Sequence, residues 1–366
     1  MKMNKLKINT KTQSYNIIIG SNLISSFQKI LFDNKINFEK CLIIVDNNVP
    51  KQLLKKLTNN LNKKKIIYFY DSSEFNKSQL QLNKILELLL KNNFHRNDCV
   101  ISVGGGITGD LSGFAASIYK RGLKFINVPT TLLAQVDSSI GGKTGINSFY
   151  GKNLIGSFYQ PSLVISDTHF LNFLPKREII CGYAEILKHS LIADKKFFMF
   201  LNKHGNQILK LEKKYLEAAI YKSCNIKKKV VELDEKENNL RKTLNFGHTF
   251  AHAYEASMKY SKKLNHGEAV LLGMISASNF AFQNSLLSKN DFNLILEHYL
   301  NLNLIRNIKS YFSKNNINVI LKYMQKDKKN SNDKINLILL KKIGQSKINL
   351  YFSLKKLTKF LTNQLG

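Results

Sequence analysis

Six short runs in the first half of the chain are apolar or nearly so. They are Ser14 to Gly20 (SYNIIIG), Cys41 to Asp46 (CLIIVD), Lys65 to Tyr70 (KIIYFY), Cys99 to Gly104 (CVISVG), Phe125 to Pro129 (FINVP) and Leu163 to Asp167 (LVISD). Four of the six lack the polar alternation of a half-exposed strand, which is the pattern of parallel strands covered on both faces. Between them, segments such as Lys77 to Asn92 repeat Leu and Ile at helical spacing. Strands alternating with helices predict an α/β domain with a parallel sheet.

The period changes near Leu174-Pro175. Beyond it, long helical patterns cover Glu178 to His204, Lys213 to Leu233, Thr243 to Tyr260 and Glu268 to Asn284, and only Ile335 to Leu340 and Ile348 to Phe352 read as strands. The expected organisation is an α/β domain over 1–175 followed by a mainly α-helical domain over 176–366. A length of 366 residues suits two domains.

Composition adds a puzzle. Lys and Arg total 56 against 25 acidic residues, a formal charge of +31. Such an excess ordinarily raises nucleic acid or an anionic membrane as partner. Only five of the 56 are Arg (Arg96, Arg121, Arg177, Arg241, Arg306), whereas phosphate and base readers favour the planar guanidinium. Lys rises with Asn and Ile, and Trp is absent, as in drift from an AT-rich genome. We therefore expect no nucleic-acid partner, and read the clusters at Lys63-Lys64-Lys65 and Lys227-Lys228-Lys229 as solvated faces. No apolar run is long enough to span a membrane, and the basic start lacks the apolar core of a signal peptide. Cys41, Cys99, Cys181 and Cys224 are scattered, without a C-x-x-C pair. A cytoplasmic protein is expected.

Two glycine-rich segments carry candidate chemistry. Val103-Gly104-Gly105-Gly106-Ile107-Thr108-Gly109-Asp110 follows a strand and opens a helix, so a ligand phosphate can approach unpaired N–H groups. It is not the G-x-G-x-x-G fingerprint, and the best ribose-binding acid, Asp46, precedes it. A tight turn without a ligand is the competing reading. Between Pro129 and Asn147, small, hydroxylated and Gly residues crowd around Asp137 and Lys143 in what reads as a loop. Gly141-Gly142-Lys143-Thr144 is not a Walker A, since Asp137 stands where its first glycine belongs. Lys152 and Asn153 follow closely, and two lysines with polar amides beside a glycine loop suit a phosphorylated substrate.

Three of the eight histidines fall within 19 residues. His248 and His252 share a helix face, the natural spacing for two ligands of a divalent metal, and His266 follows. Glu185 and Lys188 share a face of an earlier helix. The absence of H-E-x-x-H disfavours a zinc peptidase. Packed or surface histidines are the alternative.

At these residues the chain resembles the 3-dehydroquinate synthase family, a branch of the sugar-phosphate cyclases. The matching blocks are Gly104 to Asp110, Arg121-Gly122, Pro129 to Asn147, Gly151 to Pro161, Leu174 to Lys188, Arg241 to Glu255, His266 to Met274 and Asp327-Lys328-Lys329. The resemblance implies a Rossmann-like NAD-binding domain and a catalytic Zn2+ (or Co2+) in an interdomain cleft. It implies conversion of 3-deoxy-D-arabino-heptulosonate 7-phosphate to 3-dehydroquinate and phosphate by transient oxidation, phosphate elimination, reduction, ring opening and aldol closure. The NAD is reoxidised in each cycle.

The implied metal ligands are Glu185, His248 and His266, which makes His252 a proton-handling neighbour and not a ligand. Implied catalytic residues are Asp137, Lys143, Lys188, Asn245 and His252. Phosphate binders are Arg121, Lys152, Asn153, Arg241 and Lys328, with Arg121 reaching in from the partner of a homodimer. Implied cofactor positions are Asp46, Asp71, Glu74, Lys77, Gly105, Gly106, Asp110, Thr130, Thr131, Lys143, Lys152, Phe170, Leu171, Asn172 and Phe173. Asp71-Ser72-Ser73-Glu74 departs from the family, which usually has Gly before the Glu, and Ala251 stands where many members have Gly. The rivals are a sister cyclase making an inosose or valiolone, and a metal-dependent polyol dehydrogenase. The latter has no need of phosphate-gripping lysines.

Overall fold

The computed structural model describes residues 3–305, 307–326 and 334–366. In chain order its elements are β1 (Asn4–Asn9), β2 (Ser14–Gly20), α1 (Phe27–Asp33), β3 (Lys40–Asp46), α2 (Lys51–Asn59), β4 (Lys64–Tyr70), α3 (Gln79–Lys91), β5 (Cys99–Gly104) and α4 (Gly106–Ile118). Then come β6 (Lys124–Pro129), β7 (Lys143–Ser148), β8 (Gly151–Phe158), β9 (Leu163–Asp167), α5 (Lys176–Ala193), α6 (Lys195–Leu209) and α7 (Lys213–Leu233). The remainder is α8 (His248–Ser257), α9 (His266–Gln283), α10 (Lys289–Asn301), α11 (Ile317–Gln325), β10 (Lys334–Lys342), β11 (Gln345–Ser353) and α12 (Leu354–Leu365).

The chain forms two compact units. The first runs to Ile179 and takes in Leu211–Lys236; the second comprises Ile180–Lys210 and the described residues of Glu237–Gly366. The expected single cut at 175 does not capture this interleaving, because α7 returns to the first unit and packs on β1 and β2.

In the first unit a seven-stranded sheet has the order β1-β2-β9-β6-β5-β3-β4. Every neighbouring pair is parallel except β1 with β2. The apolar runs follow from this arrangement. In β3, Cys41, Ile43 and Val45 enter one core while Leu42 and Ile44 enter the core on the opposite face, so neither parity can be polar. β1 is an additional strand that its alternating Lys and apolar residues left unread. Gly104–Gly106 ends β5, and Gly105 caps α4. The Pro129–Asn147 segment, expected to be a loop, instead holds a π turn at Ala134–Ser138 and the strand β7, paired antiparallel with β8.

Among the described residues of the second unit, the strands are those of the β10–β11 hairpin, and the other elements are helical. The continuous helical pattern expected over 178–204 is broken at Asp194, whose side chain accepts from the Phe197 N–H and starts α6. Likewise 243–260 is not one helix: Leu240–Asn245 is a 3-10 turn, and α8 starts only at His248. Gly247 between them has φ +78°, and a Cβ there would lie 2.8 Å from the Met274 backbone nitrogen. Glycine is thus what allows α8 to start hard against α9.

Candidate active site

In the second unit α5, α8 and α9 each contribute one side chain to a group that could hold a metal ion. One potential ligand atom from each of Glu185, His248 and His266 lies within 4.8 Å of the others, and His248 Nε2 stands 3.8 Å from Glu185 Oε1. Each donor is held from outside. His248 Nδ1 lies 3.2 Å from the Phe246 carbonyl, and His266 Nδ1 lies 3.2 Å from Glu255 Oε2. Both partners can only accept, so each Nδ1 carries the proton and Nε2 keeps its lone pair. The second oxygen of Glu185 forms a buried ion pair with Lys188, one turn along α5. The start of α9 is fixed by a reciprocal cap between Asn265 and Glu268.

Burial, followed by Lys188 and the neighbouring imidazoles, holds the His248 pKa well below its ordinary value. A neutral imidazole is the form that ligates. At His266 burial acts in the same direction, but the Glu255 hydrogen bond and the carboxylates of Glu255 and Glu185 outweigh it, and the pKa is raised. Two imidazoles and one carboxylate, each oriented by an outer partner, fit a zinc- or cobalt-type ion with a position left for substrate.

Of the i, i+4 pair singled out by spacing, only His248 belongs to the convergent group. His252 is exposed and its ring sits edge-on to that of His248, centroids 5.3 Å apart. It stands beside the donor set, not within it. Nearby, Arg241 is buried on the 3-10 turn, and Asn245 Nδ2 donates to Glu237 Oε1 at 2.7 Å. Ala251 costs nothing because Gly273 on α9 faces it; a Cβ on Gly273 would be 3.1 Å from the Ala251 Cβ. Lys328 lies outside the described residues.

In the first unit most of the expected cofactor residues surround the β4–α3 loop and the ends of β5 and β6. Lys77 is buried, and its Nζ donates to Asp110 Oδ2 and to Asn153 Oδ1, each at 2.5 Å. Burial raises the Asp110 pKa, against the pull of Lys77. Glu74 accepts from Asn147 Nδ2 at 2.8 Å and pairs with Lys152 at 3.2 Å. There burial acts upward, but these two partners win and the pKa is lowered. The Asn147 N–H donates to the Lys77 carbonyl, so the two loops are laced together.

Gly106 gives clearance to the π turn, since a Cβ there would lie 2.9 Å from Ser138 Oγ. Thr130 N–H donates to the Gly104 carbonyl, and Thr131 Oγ1 accepts from the Ala134 N–H. Asp46 closes β3 and accepts from the Asn48 N–H and Nδ2, and burial raises its pKa. Where the family has glycine, the turn is held by backbone hydrogen bonds and by Asn76. Asp71 and Ser73 carbonyls accept from the Ser73 and Lys77 N–H groups, Asn76 Nδ2 donates to Asp71, and no residue from 71 to 76 has positive φ.

Three expectations acquire different surroundings. Phe170 and Leu171 bury their side chains, Phe170 in the core beneath the sheet, and leave their backbone with the exposed Asn172 and Phe173 as the usable surface. Lys143 opens β7 as an exposed residue, and Arg121 is exposed in a turn where it and Lys120 both have positive φ. Lys227 is not part of a solvated face. It is 5% exposed, and its Nζ donates to the Asp137 carbonyl and, at 2.5 Å, to Asp137 Oδ1. The missed signal was periodicity: Ile220, Cys224, Lys227 and Val231 fall on the buried stripe of α7.

Among known proteins, a family model described as 3-dehydroquinate synthase N-terminal matches residues 67–181, and one described as 3-dehydroquinate synthase C-terminal matches 182–330. The 3-dehydroquinate synthase of Pelagibacter ubique is 58% identical over 99% of this chain and 98% of its own length. That of Bartonella quintana is 40% identical over 96% of each. Among solved structures, 2-deoxy-scyllo-inosose synthase complexed with carbaglucose-6-phosphate, NAD+ and Co2+ is similar with a TM-score of 0.84 at 25% identity, covering 98% of this chain and 99% of that one. An iron-containing alcohol dehydrogenase from Thermotoga maritima, 14% identical over the full length of both chains, shares the fold with a TM-score of 0.65.

Proposed function

The chain belongs to the 3-dehydroquinate synthase family, and from that premise we propose that it converts 3-deoxy-D-arabino-heptulosonate 7-phosphate to 3-dehydroquinate and phosphate. This is a carbon–oxygen lyase reaction of the shikimate pathway, which supplies aromatic amino acids. The observation that carries the reading is the Glu185, His248 and His266 donor set, each donor anchored from outside, in a chain with such close full-length relatives. A bound zinc or cobalt ion would acidify a hydroxyl and polarise a carbonyl, while NAD would accept a hydride and return it.

The chain's own residues supply the rest. The Gly105–Gly106 turn and the start of α4, with Thr130 and Thr131, suit the cofactor's phosphates, because unpaired helix N–H groups and small residues admit close approach. Asp46, Asp71, Glu74, Lys77, Asp110, Lys143, Lys152 and the 170–173 turn are the further cofactor positions. Lys188 balances the Glu185 carboxylate, and His252, exposed beside His248, takes up the proton of the C5 hydroxyl. Asp137, held by Lys227, orients the substrate with Lys143 and Asn245. Phosphate binding is assigned to Arg121, Lys152, Asn153, Arg241 and Lys328, cations and amides that favour a departing dianion. We further assign a homodimer with Arg121 contributed in trans. A cytoplasmic setting agrees with four buried free thiols, and no helix of the described residues is long and apolar enough to cross a membrane.

The sister-cyclase reading rests on fold likeness at much lower identity. Product identification by NMR separates the two. With zinc and NAD, the heptulosonate phosphate should give 3-dehydroquinate and glucose 6-phosphate should give no cyclitol; the reverse outcome removes the assignment.

A further inference from the structure

The turn that carries Arg121 holds three successive residues at positive φ: Lys120 at 46°, Arg121 at 65° and Gly122 at 128°. The first two carry Cβ atoms, which disfavour the left-handed region, so such a pair persists only where its surroundings over-determine it. Arg121 is exposed, whereas Leu123 is buried. A long side chain standing in solvent is aimed by its backbone, and here that backbone is strained.

Two tyrosines hold the turn. On its N-terminal side, the Tyr119 hydroxyl lies 3.1 Å from both the Leu89 and Phe94 carbonyls. The Tyr119 carbonyl in turn accepts from the Gly122 N–H. On the C-terminal side, the Tyr159 hydroxyl donates to the Leu123 carbonyl at 2.5 Å. Tyr159 also covers the turn, since a Cβ on Gly122 would lie 3.1 Å from its hydroxyl oxygen. Its half-buried ring packs on the core that includes Tyr119, Leu123 and Phe125, so the hydroxyl has a fixed origin.

The same residue reaches a second segment by a separate bond. The Tyr159 N–H donates to the Gly142 carbonyl at 2.7 Å, one residue before Lys143. The hydroxyl thus serves the Arg121 turn and the backbone serves the Lys143 segment. Substitution can remove the first bond and leave the second.

We propose that Tyr159 is a positioning residue for Arg121: its hydroxyl fixes the strained turn that presents the guanidinium to the phosphate of a sugar-phosphate substrate. The proposal rests on the phosphate role assigned to Arg121 above. Removing the hydroxyl loosens the grip on phosphate, which is read in KM, while Lys143 keeps its anchor and kcat is retained.

A double-mutant cycle on the full chain, with zinc and NAD present, tests this. Tyr159→Phe should raise KM for the heptulosonate phosphate about fivefold, the scale of one net hydrogen bond, with kcat, zinc content and far-UV circular dichroism unchanged. In an Arg121→Ala background the same substitution should change KM by less than about twofold, because the group it positions is gone. A general loss of folding would instead lower kcat and persist in that background. If Arg121→Ala raises KM and Tyr159→Phe does not, the positioning role is overturned and the phosphate role of Arg121 stands. A Tyr159→Phe effect of full size in the Arg121→Ala background also overturns it. An Arg121→Ala variant with wild-type KM overturns both.

Discussion

Glu255 is 8% exposed and touches substrate nowhere in the proposed chemistry, yet it decides which nitrogen of His266 faces an ion. Outer carboxylates of this kind typically govern metal affinity by 10- to 100-fold. Glu255→Ala should therefore weaken zinc binding by roughly 10- to 100-fold in chelator competition; wild-type affinity would contradict the role. Lys227 acts on Asp137 in the same indirect way. Lys227→Met leaves that carboxylate without its charged donor and should lower kcat by about 100-fold, on the scale of one lost polar contact to a reacting group. Wild-type turnover would return Lys227 to the background lysines. At this scale the sequence was legible only in part. Spacing pointed to His248 with His252, because it registers shared faces of one helix. Glu185 and His266 come from other helices; the residues raised them as candidates, but only the family resemblance put them in the ligand set in place of His252. Lys227 was hidden by Lys228 and Lys229, which mimic a solvated face.

At the level of elements, the helix carrying Glu185 and Lys188 is held from behind by a buried relay. His298 on α10 hydrogen-bonds through Nδ1 to Asn202 Oδ1 on α6 and through Nε2 to the Tyr183 hydroxyl on α5. Since Asn202 Oδ1 only accepts, Nδ1 carries the proton and Nε2 accepts from Tyr183, a neutral ring. Burial lowers the His298 pKa from 6.5 to about 4. The unfolded chain thus binds a proton between these values that the folded chain refuses. The stability contributed is present above 6.5 and lost as pH falls toward 4, about 3 kcal/mol in all. Urea titrations across that window should show the loss in wild type and a flatter profile in His298→Gln. Equal slopes would contradict it. The same scale shows why β3, β5 and β9 could be read from sequence and the β7–β8 hairpin could not. The former are apolar on both faces, whereas the hairpin mixes Gly, Asn and Ser with apolar residues, of which those on β8 stay exposed.

For the molecule as a whole, the +31 charge divides into parts with different meanings. A few cations are committed: Lys77 to Asp110 and Asn153, Lys188 to Glu185, Lys227 to Asp137. Most of the others coat the surface. The change from alternating strands and helices to mostly helices near residue 175 was legible in the hydrophobic period. The return of α7 to the first unit was not, since nothing in a helical pattern says which core it will join. The central claim is a redox cycle that closes on itself within this chain. Phosphate released and NADH absorbance, followed together with the heptulosonate phosphate, zinc and substoichiometric NAD, test it most directly. Many phosphates released per NAD, with no net NADH, is the predicted result. NADH accumulating in step with substrate consumed, without phosphate release, would make the chain a dehydrogenase and contradict the account.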